Sequence, residues 1–119
     1  MSAVDRWLTV LFDTVRPFLY ENGGPVIMLQ VENEFGSYDR STTKKCDSNY
    51  TNTLRDTYQR LLGPNTVLFT TDGNGHNYFR CGRIGNVFAT IDFGIMNQTN
   101  VQPAKAVPAH RSFGLYIIF

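Results

Sequence analysis

The stretch GGPVIMLQVENEFGSY, residues 23–38, holds a short apolar run at 26–31 that is interrupted only by Gln30. Gly23, Gly24 and Pro25 stand before the run, and Glu32-Asn33-Glu34 follows it. A run of this length with both faces apolar predicts a strand buried on both sides, as in parallel sheets. Pro25 lacks an N–H, which suits the first residue of a strand better than its middle. Carboxylates rarely follow a buried strand so directly, because desolvating an unpaired one is costly. At the carboxyl end of a parallel strand they sit where α/β barrel enzymes place their chemistry.

Working outward, residues 4–20 predict a helix, with Val4, Trp7, Leu8, Leu11, Val15, Phe18 and Leu19 forming an apolar stripe. Pro17 is expected to kink its last turn or end it early. The polar segment 39–48 reads as a surface loop, and residues 50–62 as a second helix, with Asp47, Ser48 and Asn49 as candidate caps and Gly63-Pro64 as its stop. Strands are predicted at 67–71 and 87–91, and the segment between them holds one short helix or none. Strand, helix, strand at this spacing predicts a βαβ unit and a parallel sheet. Each of the three strands ends on an acid: Glu32 and Glu34, Asp72, Asp92. For Asp72 and Asp92 the favoured reading is turn chemistry, since Asp-Gly and Asp-Phe-Gly suit turns for local reasons.

The 119 residues suffice for one small domain. Eleven basic and ten acidic residues are spread without blocks to a net charge of +1, so nothing points to a nucleic-acid partner. No apolar run reaches the length of a membrane span, and Met1 leads straight into an amphipathic pattern, so no signal peptide is expected. His76 and His110 have no ligand-spaced partners, and the glycines around Asp72 match neither phosphate-binding fingerprint, so neither a metal nor a cofactor is expected. Cys46 and Cys81 allow one disulfide or two free thiols. Asn49-Tyr50-Thr51 and Asn97-Gln98-Thr99 are glycosylation sequons.

The opening stretch resembles the active-site signature of glycoside hydrolase family 35, the β-galactosidases. The signature is Gly-Gly-Pro, two aliphatics, two variable positions, Gln, one variable position, Glu-Asn-Glu and an aromatic, here Gly23 to Phe35 without a gap. Val4-Asp5-Arg6-Trp7-Leu8, VLFTTDG at 67–73 and ATIDFG at 89–94 are similar to neighbouring elements of the family. The resemblance implies an α/β fold that is a partial (β/α)8 TIM barrel, about three parallel strands with flanking helices. It implies a barrel fragment over residues 1–100 and a divergent tail over 101–119. It further implies a Cys46–Cys81 disulfide, a glycosylation position near Asn97, and a lysosomal or secreted parent.

Glycoside hydrolysis uses two carboxyl groups flanking the scissile bond, about 5–5.5 Å apart in retaining enzymes. Glu32 and Glu34, two apart on a strand, would leave the same face, so they are not expected to be that pair. By resemblance, Glu34 is the proton donor and Asn33 binds the galactose near its 2-hydroxyl. A donor must be protonated in the resting enzyme, which calls for a raised pKa. The family's nucleophile lies in an Asn-Ser-Glu-Phe/Tyr-Tyr motif that is absent from the 119 residues. The expected activity is thus hydrolysis of terminal β-D-galactosyl residues with retention, on a glycan or glycolipid, with the isolated chain inactive. The alternatives are a truncated galactoside-binding or interaction protein, and an independent small α/β domain with a ligand at its strand ends.

Overall fold

The computed structural model describes residues 2–41, 46–73 and 76–92. Helix α1, Ala3–Val15, begins at a reciprocal cap: the Asp5 N–H donates to the Ser2 hydroxyl at 3.1 Å, and the Ser2 N–H donates to the Asp5 carboxylate at 3.0 Å. The cap satisfies donors that a first helical turn leaves without partners. The Ser2 N–H and then its hydroxyl hold the Asp5 carboxyl below its ordinary pKa. The helix is shorter than the predicted 4–20. Pro17 cannot donate to the ladder, so the α-helix stops at Val15 and the chain continues as 3₁₀ turns at Arg16–Phe18 and Tyr20–Asn22.

Leu8, Phe12, Leu19 and Leu62 form one buried cluster, with Leu54, Tyr58 and Leu61 packed against it. The rings of Phe12 and Tyr58 meet edge to face at 4.6 Å. Phe12 falls outside the predicted stripe, whereas Val4 and Trp7, inside it, are 57% and 63% exposed. Apolar residues lie around most of α1, and only the side toward the second long helix is covered.

The first strand, β1, is Leu29–Asn33 and not 26–31. Val26 instead bridges to Leu19: its N–H donates to the Phe18 carbonyl at 2.9 Å, and its carbonyl accepts from the Tyr20 N–H at 2.7 Å. Those bonds engage the backbone of Val26 before the sheet begins. Nor is β1 buried on both sides, since Val31 is buried while Gln30 and Asn33 are exposed. Among the described residues β1 is an edge strand, next to β2 alone, which leaves half of its apolar run without a cover.

Strands β2, Leu68–Gly73, and β3, Phe88–Asp92, complete a parallel sheet in the order β1-β2-β3. The parallel arrangement and the βαβ connection agree with the sequence reading. Leu29 pairs with Leu68 and Asn33 with Thr71, but the register shifts between Gln30 and Glu32, leaving Val31 as the extra residue. Buried Val31 packs with Leu68 and Ile84 in a second cluster. Along β2 the residues Leu68, Thr70 and Asp72 are buried in alternation, so one face of the strand grades from apolar to charged.

Three helices cover these strands. Helix α2, Phe35–Ser41, follows Glu34 directly and takes in only the start, residues 39–41, of the segment 39–48 that reads as a loop in the sequence. Helix α3, Ser48–Leu62, is capped by Asp47, whose carboxylate accepts from the Tyr50 N–H at 3.1 Å. Helix α4, His76–Gly82, is the short helix between the second and third strands. A Cys46–Cys81 disulfide, with its Cα atoms 4.7 Å apart, ties the segment before α3 to α4. Residues 101–119, expected as a divergent tail, and Asn97 lie outside the described residues.

Candidate active site

The acids read from the sequence gather at the carboxyl ends of the strands, each in a different setting. Glu32 lies inside β1, and one of its carboxylate oxygens accepts from the Tyr50 hydroxyl at 3.0 Å. Burial, and then that bond to a carboxylate, push the Tyr50 phenol up to about 12. The Tyr50 ring lies 5.1 Å from that of Phe35, which lies 6.2 Å from that of Tyr38. The aromatic row beside Glu32 was not foreseen. Its signal was available, because Tyr50 opens a helix that must pack back on the first strand.

Asn33 ends β1 and is exposed, with its side-chain oxygen accepting from the Gln30 amide at 2.8 Å. The same Gln30 amide donates to the Glu32 carbonyl at 3.1 Å, so Gln30 braces the backbone and side chain around Asn33. Gln30, Val31, Glu32, Asn33, Tyr50 and Leu54 line an open hollow on this side of the sheet.

Glu34 follows the strand and does not belong to it. Its φ is 55°, in the left-handed region that residues with a Cβ seldom adopt. The pleat therefore ends at Asn33, and the expected same-face alternation of Glu32 and Glu34 does not carry through to Glu34. The bend is tied down on both sides. The Glu34 N–H donates to the Thr71 carbonyl at 2.7 Å, and the Glu34 carbonyl accepts from Ser37 and Tyr38 at 2.9 and 3.2 Å. Glu34 thereby opens α2 while its side chain stays exposed.

Asp72 is the largest departure from the sequence reading, which favoured turn chemistry. It is the fifth residue of β2 and is 1% exposed. Its carboxylate accepts from the Gly36 N–H at 2.9 Å. Burial raises its pKa to about 6, opposed by the Gly36 bond and assisted by the nearby charges of Glu32, Glu34 and Asp92. Two glycines make room. A Cβ on Gly82 would strike the Asp72 carboxylate, and one on Gly36 would strike the Tyr78 carbonyl. Asp92 is the last residue of β3 and is partly buried, also within a strand and not a turn.

Thr70 and Thr90 are buried between the acids and the apolar core. The Thr90 hydroxyl donates to the Thr70 carbonyl at 2.8 Å and lies 3.0 Å from the Thr71 hydroxyl. Asn49 is exposed in the first turn of α3, while Thr51 of the same sequon is buried. Among the described residues no group of three or more His, Cys, Asp or Glu could hold a metal ion, and no helix is long and apolar enough to cross a membrane.

The profile of glycosyl hydrolases family 35 matches residues 1–112. A β-galactosidase of Homo sapiens is 46% identical over 94 residues, covering 79% of this chain and 13% of that protein. A β-galactosidase of Canis lupus familiaris is 45% identical over 94 residues, with the same coverage of 79% and 13%. A β-galactosidase-1-like protein of Mus musculus is 47% identical over 94 residues, covering 79% of this chain and 14% of that protein. The chain thus spans about an eighth of the length of these relatives. With a profile match along nearly all of its length and an unbroken Glu-Asn-Glu at the end of its first strand, the chain belongs to glycosyl hydrolases family 35.

Proposed function

We propose that this chain carries the proton-donor part of a retaining β-galactosidase, with Glu34 as the general acid and Asn33 as a contact to the galactose near its 2-hydroxyl. One observation carries this reading: an exposed carboxylate at the carboxyl end of a parallel strand, fixed by backbone bonds in a left-handed turn. Such a turn is strained, and strain of this kind persists where the surroundings hold it for a purpose. The donor would protonate the leaving oxygen while a second carboxylate attacks the anomeric carbon. Glu32 is a poor second carboxylate, because it is engaged by the Tyr50 hydroxyl. No Asn-Ser-Glu motif occurs in the 119 residues, so the nucleophile is assigned to none of them.

The larger architecture in this proposal is a (β/α)8 barrel to which residues 1–100 contribute three strands and their helices, with 101–119 as a divergent tail. The substrate is a terminal β-galactoside of a glycan or glycolipid. A lysosomal or secreted setting is supported by the Cys46–Cys81 bond and by an exposed Asn49 as a glycan acceptor. Asn97 is proposed as a second acceptor.

The test is leaving-group dependence in the full-length protein. Glu34→Gln should lower hydrolysis of an alkyl β-galactoside by about 10²–10⁴-fold. It should lower hydrolysis of a dinitrophenyl β-galactoside far less, because that leaving group departs without a proton. An equal loss on both substrates would reject Glu34 as the acid. The 119-residue chain alone is expected to show no hydrolysis above its Glu34→Gln control.

A further inference from the structure

The mechanism proposed above has no use for Asp72, yet it is the most deeply buried acid among the described residues. Its place explains what it does. Helix α2 begins directly after Glu34, and the N–H groups of its first turn have no helical carbonyl to meet. The Ser37 and Tyr38 N–H groups turn back to the Glu34 carbonyl. The Gly36 N–H reaches across to the Asp72 carboxylate at 2.9 Å. The residue before Asp72 completes the hold, because the Thr71 carbonyl accepts from the Glu34 N–H at 2.7 Å. Consecutive residues of β2 thus grip the chain on both sides of the Glu34 side chain, one through the backbone and one through a carboxylate.

The other walls of this contact are as closely fitted. Gly82 in α4 leaves no room for a Cβ over the Asp72 carboxylate, and Gly36 leaves none against the Tyr78 carbonyl. The disulfide from Cys81, next to Gly82, fixes the same corner. We propose that Asp72 is a positioning residue for the proton donor: by accepting the Gly36 N–H it holds the left-handed turn that presents Glu34. The inference rests on the donor reading of Glu34, but the clamp itself is a statement about geometry and can be tested apart from it.

The test uses labelled full chain in solution, beginning with the wild type. The Gly36 amide proton should shift with the same midpoint as the Asp72 carboxyl carbon, since one bond joins them. In Asp72→Ala, hydrogen exchange at Gly36 should accelerate by about 30-fold relative to the Thr70 amide of the same sheet. The Glu34 backbone coupling should also leave its left-handed value. Asp72→Asn keeps an acceptor oxygen and should restore Gly36 protection to within about 3-fold of wild type. A fold-wide loss would move Gly36 and Thr70 together and would not be rescued by asparagine.

If the Gly36 amide ignores the Asp72 titration, or stays protected in Asp72→Ala, the clamp is overturned whatever Glu34 does. Should Asp72→Ala fail to fold, the wild-type titration and Asp72→Asn still decide. In the hydrolysis assay of the full-length protein Asp72→Ala should lower kcat with KM nearly unchanged, and Asp72→Asn should recover it. A clamp that holds beside a Glu34→Gln variant of undiminished activity would leave the geometry standing and remove the donor role alone.

Discussion

At the scale of single residues, two side chains run against their ordinary preferences, and they are adjacent in the fold. Glu34 takes a left-handed backbone that costs a residue with a Cβ about 1–3 kcal/mol. Asp72 keeps a carboxyl group almost wholly out of water and holds its proton to about pH 6. The second fact sets a pH dependence. In the unfolded chain Asp72 ionises near the ordinary aspartate value of 3.8, and in the folded chain near 6. Between those values the folded state binds more protons, so stability falls as pH rises. The contribution is fully present below pH 3.8 and is lost as pH passes through about 6. Two units correspond to a contribution on the order of 3 kcal/mol. Asp5 acts in the opposite sense: its carboxyl is held below the ordinary range, so its share is lost as pH falls through the folded value. Urea midpoints measured from pH 4 to 7 should therefore decline through this window, and Asp72→Asn should flatten the decline. An unchanged slope in Asp72→Asn would assign the dependence to another group. This leaning toward acid agrees with the proposed lysosomal setting.

At the scale of elements, the parallel order of the three strands could be read from apolar runs separated by a helix-length segment. Strand ends could not be read so closely. Apolar character marked residues 26–31, but backbone bonding to Phe18 and Tyr20 claims Val26 and moves the strand to Leu29–Asn33. Periodicity found α3 because its caps and stop are local. It missed α2, a seven-residue helix that begins on tertiary bonds to β2 and carries little apolar pattern of its own. It misjudged Asp72 for the same reason: Asp-Gly is common in turns, and only the neighbouring glycines of α2 and α4 reveal a buried strand position. Glu34 and Asn33 were legible because their motif is contiguous. The hold on Glu34 was not, because its partners lie 36–38 residues away in the sequence. The Cys46–Cys81 bond closes a loop with a sequence separation of 35 and secures α4 against the segment that leads into α3. In the chain-entropy account a loop of that size is worth about 3–4 kcal/mol. Replacing both cysteines by alanine should lower the urea midpoint accordingly, and the slope of the transition should steepen as the released unfolded chain exposes more surface. A midpoint that stays within error of the oxidised protein would show that the bond carries no stability.

At the scale of the whole molecule, the structure leaves apolar surface where a larger assembly would cover it. Val4, Trp7 and Val10 lie along one side of α1 and are 57%, 63% and 68% exposed. Beyond the end of the helix Phe18, Tyr20 and Ile27 are exposed as well, at 55%, 73% and 64%. Among the described residues β1 and β3 each have one strand neighbour, so both sheet edges present free backbone groups. Open edges and contiguous apolar patches both favour association between chains. In the proposed barrel the same features would be sheltered by the neighbouring strands and helices. The 119-residue chain by itself is therefore expected to self-associate as its concentration rises, and sedimentation velocity across a concentration series measures this directly. Trp7→Glu combined with Val10→Lys should shift the chain toward monomer. The same pair should barely move the unfolding midpoint, since neither side chain belongs to the buried cluster of Leu8, Phe12, Leu19 and Leu62. A wild-type chain that stays monomeric throughout would mean that its own residues cover this face in solution, and the case for a barrel sheltering it would lose this support.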